Sequence, residues 1–126
     1  MEKELFESFS LSIQRLEEIL SQPKTIITRD AAIKRFELTF ELVWKVLQKY
    51  LGEEGIICNS PKSCFKSAFQ TELIIDTPEW LEMIEDRNLT VHTYDEETAD
   101  DVYHRLATYL YMFKQIQKEL VKKQLE

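Results

Sequence analysis

The chain has 126 residues and a mass of 15.0 kDa, enough for one domain, because a second hydrophobic core would need roughly another 100 residues. Two glycines and three prolines, against 44% apolar and 31% charged residues, are too few turn formers for an all-β fold. The net charge of −7 excludes a chain that binds nucleic acid through an overall positive charge. We therefore expect one all-α domain over residues 1–126.

Three long amphipathic helices are predicted from apolar side chains that recur every three or four positions. The first ends before Pro23, and the last follows the capping-box sequence Thr93–Glu96. The middle helix, Asp30–Leu51, is apolar on two sides and should therefore lie at the centre of the fold. One apolar stripe, which should face the core, comprises Ile33, Phe36, Phe40, Val43, Trp44 and Leu47, and a second comprises Leu38, Leu42 and Val46.

Two shorter helices are indicated by an N-cap residue followed by proline at the first helical position, at Ser60-Pro61 and at Thr77-Pro78. Three long and two short helices joined by short loops predict an up-and-down, four-helix-type bundle with additional short helices.

The apolar segments are too short to span a membrane. The longest uninterrupted apolar run, Tyr109–Phe113, has five residues, whereas a transmembrane helix needs roughly 20. No apolar stretch follows the acidic start MEKELFESFS, so no secretory signal is expected. These features predict a cytoplasmic protein without membrane contact.

Motifs for metal, nucleotide and redox sites are absent from the sequence, which has no HExxH, no glycine-rich phosphate loop and no CxxC. His92 and His104 are too few for most metal sites. Cys58 and Cys64 lack a second pair at metal-ligand spacing, and we expect both to be free, buried thiols. No metal and no cofactor are predicted.

Chemically useful side chains are concentrated in the segment Arg87–Tyr94, which also contains Asn88 and His92. We expect Arg87 in the last turn of one helix and His92 just before the next, where free N–H groups favour phosphate. A fixed cation beside a group that transfers protons near neutral pH could cleave RNA without a metal, using the 2′-hydroxyl as nucleophile. The alternative is purely structural, because arginine at a helix C-terminus complements the dipole and histidine often packs in loops.

The surroundings of this segment are strongly acidic. Residues 79–101 contain nine acidic residues and one basic residue, a local charge of −8, which would repel bare RNA. We expect Asp101 to pair with Arg105 four residues later, and the remaining carboxylates to face a basic partner protein.

At Arg87, Asn88, His92 and Tyr94, the sequence resembles the HEPN superfamily, whose motif is an arginine, a neighbouring polar residue and a histidine four to six positions later. It is most similar to the HepT-like family, also called nucleotidyltransferase substrate-binding proteins. Other matching segments are Arg35-Phe36-Glu37 through Trp44-Lys45, Ser60-Pro61 with Ala68-Phe69, and Trp80.

The resemblance implies a helical homodimer, or a higher homo-oligomer, in which two motif copies face one cleft. It also implies a toxin–antitoxin pair with a small separate nucleotidyltransferase, and metal-independent cleavage of RNA. Arg87 would stabilise the pentacoordinate phosphorus, His92 would be the acid/base, and Asn88 would orient the substrate or the motif. The partner would silence the enzyme by transferring AMP to Tyr94.

Two other interpretations use the same fold. One is a non-catalytic substrate-binding or adaptor subunit of a nucleotidyltransferase, which the acidic charge favours. The other is a helical interaction domain with neither role.

The pattern of side chains on the last helix also predicts self-association, without reference to the family resemblance. The last helix carries more aromatic side chains than one core stripe needs, which suggests a helical dimer interface. These side chains are Tyr103, Tyr109, Tyr111 and Phe113.

Overall fold

The computed structural model describes the backbone of residues 3–92 and 95–125, and the side chains of residues 3–91 and 95–124. These residues form α-helices and no strands, which confirms the all-α prediction. The helices are α1 (Lys3–Leu20), α2 (Ile26–Glu53), α3 (Pro61–Gln70), α4 (Glu79–His92) and α5 (Glu96–Leu125).

Helix α2 lies at the centre of the bundle and packs against each of the other four helices. Its main apolar stripe is buried, as predicted, and includes Phe36, Phe40 and Leu47. The ring of Phe36 stacks on that of Tyr109 in α5, with centroids 5.3 Å apart. Burying each such side chain stabilises the fold by about 1.5 to 3 kcal/mol, so this contact fixes α2 against α5.

The second stripe of α2 is only partly covered. Val46 is buried and Leu42 is half-buried, but Leu38 is 56% exposed. The prediction of a helix buried on two sides is therefore correct for the second half of α2 and wrong at Leu38.

The aromatic residues of α5 do not form the surface that the sequence predicted. Tyr109 and Phe113 are fully buried in the core, because they fall on the same helical stripe as Leu106 and Ile116. Tyr103 is half-buried beneath Lys24, whose ammonium lies 5.5 Å from its ring centroid. Tyr111 is exposed. These side chains therefore give no reason to place a dimer interface on α5.

Capping residues define where the helices begin. Ser60 caps α3 through a reciprocal pair of bonds with Ser63, with Pro61 as the first helical residue, as predicted. Helix α2 begins at Ile26, four residues before the predicted start, because Thr25 and Thr28 form a capping box.

Cys58 and Cys64 are buried as predicted, but they are not free thiols. They form a disulfide, with Cα atoms 5.1 Å apart. Between them, the extended Ser60 caps α3, so Cys64 lies in the first turn of that helix and Cys58 in the segment before it.

Candidate functional site

Arg87 lies in the interior of α4, not in its last turn, because the helix continues to His92. Positions five apart on an α-helix differ by about 140° around the axis and about 7.5 Å along it. The backbone therefore does not place Arg87 and His92 on one face of α4. Thr93 and Tyr94 lie outside the described residues, as does the side chain of His92.

Helix α5 begins at Glu96, and Asp95, not Thr93, occupies the capping position before it. The Asp95 carboxylate accepts a hydrogen bond from the backbone N–H of Thr98 at 2.8 Å, which lowers the pKa of Asp95. Helix α4 ends at His92 and α5 begins at Glu96, so the expectation that His92 directly precedes α5 is wrong.

The guanidinium of Arg87 is held by residues of α2. It forms an ion pair with Glu41 and lies 5.6 Å from the ring centroid of Phe40, within the range of a cation–π contact. Its Nη1 is 3.5 Å from Oδ1 of the adjacent Asn88, and its buried Nε has no acceptor among the described residues. The Arg87 side chain keeps 28% of its surface exposed, so a ligand can still reach it.

Glu41 is itself oriented by a second contact. The indole Nε1 of Trp44 donates a hydrogen bond to Oε2 of Glu41 at 3.2 Å, while Oε1 pairs with Arg87. Sequence reasoning did not identify Glu41, Trp44 or Phe40 as site residues. Glu41 and Trp44 are one helical turn apart, but the link to Arg87 depends on how α2 packs against α4.

The side chain of Arg87 lines a groove of about 480 Å³ between α2 and α4. Three cations against two carboxylates give the lining a net charge of +1, although the chain as a whole is acidic. The lining residues are Lys34, Arg35, Glu37, Leu38, Glu41, Arg87 and Val91.

A second groove, of about 360 Å³, continues this surface towards α1 and shares Arg35 and Leu38 with the first. Together with Leu11 and Val91, Leu38 forms an exposed apolar strip beside Arg87. We call this surface the outer face of α2.

Three of the nine carboxylates in residues 79–101 are paired with cations of the bundle. Asp86 is buried and accepts two hydrogen bonds from Arg105, each 2.7 Å long, and a third from the hydroxyl of Tyr109. Burial, and then the Asp86 carboxylate, raise the pKa of Tyr109. The predicted pairing of Asp101 with Arg105 is wrong, because Nε and Nη2 of the Arg105 guanidinium are directed at the buried Asp86.

A second network links the starts of α2 and α5. The buried Arg29 guanidinium pairs with Glu96 at 2.8 Å and with Asp100 at 3.1 Å. Lys24 first, and Arg29 second, lower the pKa of Asp100. Glu96 and Asp100 therefore pair with cations of their own chain, although the Glu96 side chain is still 73% exposed. That carboxylates of this segment face a basic partner stays a prediction.

No group of three or more metal-ligating side chains is found within residues 3–91 and 95–124. In the same described part of the chain, no helix is long and apolar enough to cross a membrane.

Comparison with other proteins assigns this chain to a family. The sequence matches the family described as "Nucleotidyltransferase substrate binding protein like" over residues 4–122. The chain belongs to this family. A crystal structure of a Thermus thermophilus protein has 39% sequence identity and a TM-score of 0.83, covering 89% of this chain and 98% of that one.

Two further matches come from Haemophilus influenzae. A relative named "Probable ribonuclease HepT" is 32% identical in an alignment of 84 residues that covers 63% of this chain and 58% of that protein. The chain thus spans less than two thirds of that relative. A structure from the same organism, described as the fold of a substrate binding domain of a nucleotidyltransferase, has 23% identity and a TM-score of 0.77 over 91% of this chain and 98% of that one. At this identity the similarity shows the fold alone.

Proposed function

We propose that the protein is a HepT-like, metal-independent ribonuclease toxin that acts as a homodimer and is silenced by a small nucleotidyltransferase. The observation that carries the proposal is the Arg87 guanidinium, held in an accessible groove whose lining is net positive. Such a group can bind a phosphodiester locally even though the whole chain is acidic.

The active cleft in this proposal is shared between two subunits. Arg87 and His92 start from different sides of α4, so one copy would not easily direct both at a single phosphate. In the proposed dimer, a two-fold axis would place Arg87 of one copy near His92 of the other. Pairing of subunits thus supplies the constellation that one chain lacks.

The outer face of α2 is the proposed dimer surface. It carries the exposed apolar strip formed by Leu11, Leu38 and Val91, and it is continuous with the Arg87 groove. Covering this strip would remove apolar surface from water and bring two Arg87 grooves to the same interface.

In the reaction, His92 takes the proton of the 2′-hydroxyl as the 2′-oxygen attacks phosphorus. The P–O5′ bond breaks, and the imidazolium returns the proton to the leaving 5′-oxygen. Arg87 stabilises the charge that develops on the phosphoryl oxygens, and Asn88 orients the substrate or the motif. The products carry 2′,3′-cyclic phosphate and 5′-hydroxyl ends.

Glu41 has a positioning role. Before RNA binds, its ion pair keeps Arg87 at the groove, and the Trp44 indole fixes the carboxylate in turn. The phosphate competes with Glu41 for the guanidinium, so Glu41 sets how tightly RNA binds at this site.

Silencing by the partner acts on Tyr94. AMP transfer to its phenol places a phosphate and a bulky base close to His92 in sequence, which blocks RNA by charge and by volume. The phenol is needed for silencing and not for cleavage, so Tyr94→Phe should remain active and resist the partner.

A non-catalytic substrate-binding subunit of a nucleotidyltransferase is the second candidate. The engagement of Arg87 by Glu41 favours it, because the guanidinium is already neutralised. In that case, the purified protein leaves RNA intact and the unmodified chain is harmless in cells.

An RNA cleavage assay in EDTA tests the proposal, with end-group analysis of the products. We expect cleavage of RNA and not of DNA, and a loss of about 10² to 10⁴ in rate for His92→Ala, the usual scale for a general acid/base. His104→Ala is the matched control, because this exposed histidine lies on α5 outside the groove. Equal rates for the two variants would refute the role of His92.

A further inference from the structure

A third groove, of about 460 Å³, shares no lining residue with the Arg87 groove. It is bounded by the connection between α3 and α4, the first turn of α4, and the middle of α5. We call it the Trp80 groove. Its lining residues are Glu72, Leu73, Ile74, Ile75, Thr77, Glu79, Trp80, Thr108, Tyr111, Met112, Gln115, Ile116 and Glu119.

The floor of the Trp80 groove is apolar and held in place by the core. The buried ring of Trp80 packs on Phe65, with centroids 4.8 Å apart, and its Nε1 donates to the carbonyl of Ile75 at 3.2 Å. At the rim, the side chains of Ile75 and Tyr111 are 80% and 64% exposed. A preformed apolar floor with apolar side chains at its edge suits the insertion of an apolar side chain.

The charges around the floor are all negative. Glu72, Glu79 and Glu119 line the groove, and no lysine or arginine does. Oε1 of Glu119 lies 3.5 Å from Nζ of Lys122. Glu72 and Glu79 have no ion pair among the described residues. This arrangement repels phosphate groups and attracts cations, the opposite of the Arg87 groove.

We propose that the Trp80 groove binds a short segment of a partner protein that carries an apolar side chain between lysine or arginine residues. The apolar side chain would contact the floor, and the flanking cations would face the three carboxylates. Nucleic acid is disfavoured by the carboxylates. A second copy is also disfavoured, since a two-fold contact would place this acidic rim against itself.

The proposal does not depend on ribonuclease activity. Trp80 and Arg87 are seven residues apart on α4, about 10 Å along the helix, and the grooves that they line share no residue. A segment bound at the Trp80 groove therefore leaves the Arg87 groove open.

The backbone at Glu72 offers a diagnostic substitution. Glu72 follows α3 with a φ of 62°, in the left-handed region that glycine adopts without steric cost. Glu72→Gly should therefore raise the melting temperature while removing a carboxylate from the rim. A loss of binding in this variant could not be explained by unfolding.

The test is an NMR titration of the full chain with three synthetic hexapeptides. One alternates lysine and leucine, one replaces leucine by serine, and one replaces lysine by glutamate. We expect the lysine–leucine peptide to shift the amides of Ile75, Tyr111 and Glu119, and to bind at least tenfold more tightly than the other two.

Variants locate the interaction. Glu72→Gly should weaken binding of the lysine–leucine peptide about threefold, as for a partly exposed charge, whereas Glu18→Gln on α1 should leave it unchanged. Equal binding of all three peptides, or amide shifts only near Arg87, would overturn the proposal. Shifts of the groove amides on raising protein concentration alone would also overturn it, in favour of a second copy.

Discussion

The buried carboxylate of Asp86 is expected to be the strongest polar link between α4 and α5. Its side chain is 3% exposed and accepts hydrogen bonds from Arg105 and Tyr109. Asp86→Asn keeps the size of the side chain but removes its charge and places amide hydrogens opposite the donors. The change therefore tests the electrostatic link and leaves the packing volume unaltered.

The expected loss of stability in Asp86→Asn follows from how far Asp86 and Arg105 are buried. Removing one partner of a buried ion pair costs about 3 to 5 kcal/mol, and we take the lower figure because the Arg105 side chain is 34% exposed. A loss of about 3 kcal/mol in the free energy of unfolding corresponds to about 10 °C in melting temperature for a chain of this length. Thermal and urea unfolding followed by circular dichroism measure both quantities.

Asp101→Asn is the matched control, because Asp101 is exposed on α5 and was the partner that the sequence predicted for Arg105. We expect it to change the melting temperature by less than about 2 °C. If Asp86→Asn were as mild as Asp101→Asn, the Asp86 network would not be what fixes α4 on α5.

Three further predictions concern the rest of the bundle. Lys24 and Arg29 lower the pKa of Asp100, so this carboxylate stabilises the fold above its usual pKa of 3.8 and loses that effect as pH falls through its lowered pKa in the folded state. The difference in urea stability between the parent and Asp100→Asn should therefore be constant above about pH 5 and shrink progressively below about pH 4. Reduction of the disulfide, or Cys64→Ser, should lower the free energy of unfolding by about 2 kcal/mol in urea titrations, and an unchanged midpoint would argue against the bond. If the proposed dimer forms through Leu38, Leu38→Glu should give a species of about 15 kDa in light scattering, and a parent chain that is already monomeric would refute the shared cleft.

Local patterns predicted most of the bundle. The stripe spacing placed Phe36 and Phe40 in the core, and the Ser60-Pro61 pair located the start of α3, because periodicity and capping act within one or two turns. The resemblance to the nucleotidyltransferase substrate-binding family is confirmed. The same local reasoning failed where two signals compete: Asp95 caps α5, although Thr93, two residues earlier, is also a residue type that favours the N-cap position.

Long-range pairing could not be predicted from the sequence. The partners of Arg87 and Arg105 are Glu41 and Asp86, 46 and 19 residues away, and both depend on how the helices pack. The local charge of −8 over residues 79–101 did not describe the Arg87 groove correctly. A count of charges along the sequence cannot show which carboxylates face other helices. The roles of Asn88, His92 and Tyr94 remain predictions.

The central claim is that Arg87 and His92 act on one phosphate across two subunits. The most direct measurement mixes Arg87→Ala and His92→Ala subunits, each inactive alone, and follows RNA cleavage in EDTA after subunit exchange. A shared cleft predicts recovery of about a quarter of the parent activity, since half of the dimers are mixed and each mixed dimer has one of its two sites intact. No recovery in a mixture shown to contain mixed dimers would contradict the account.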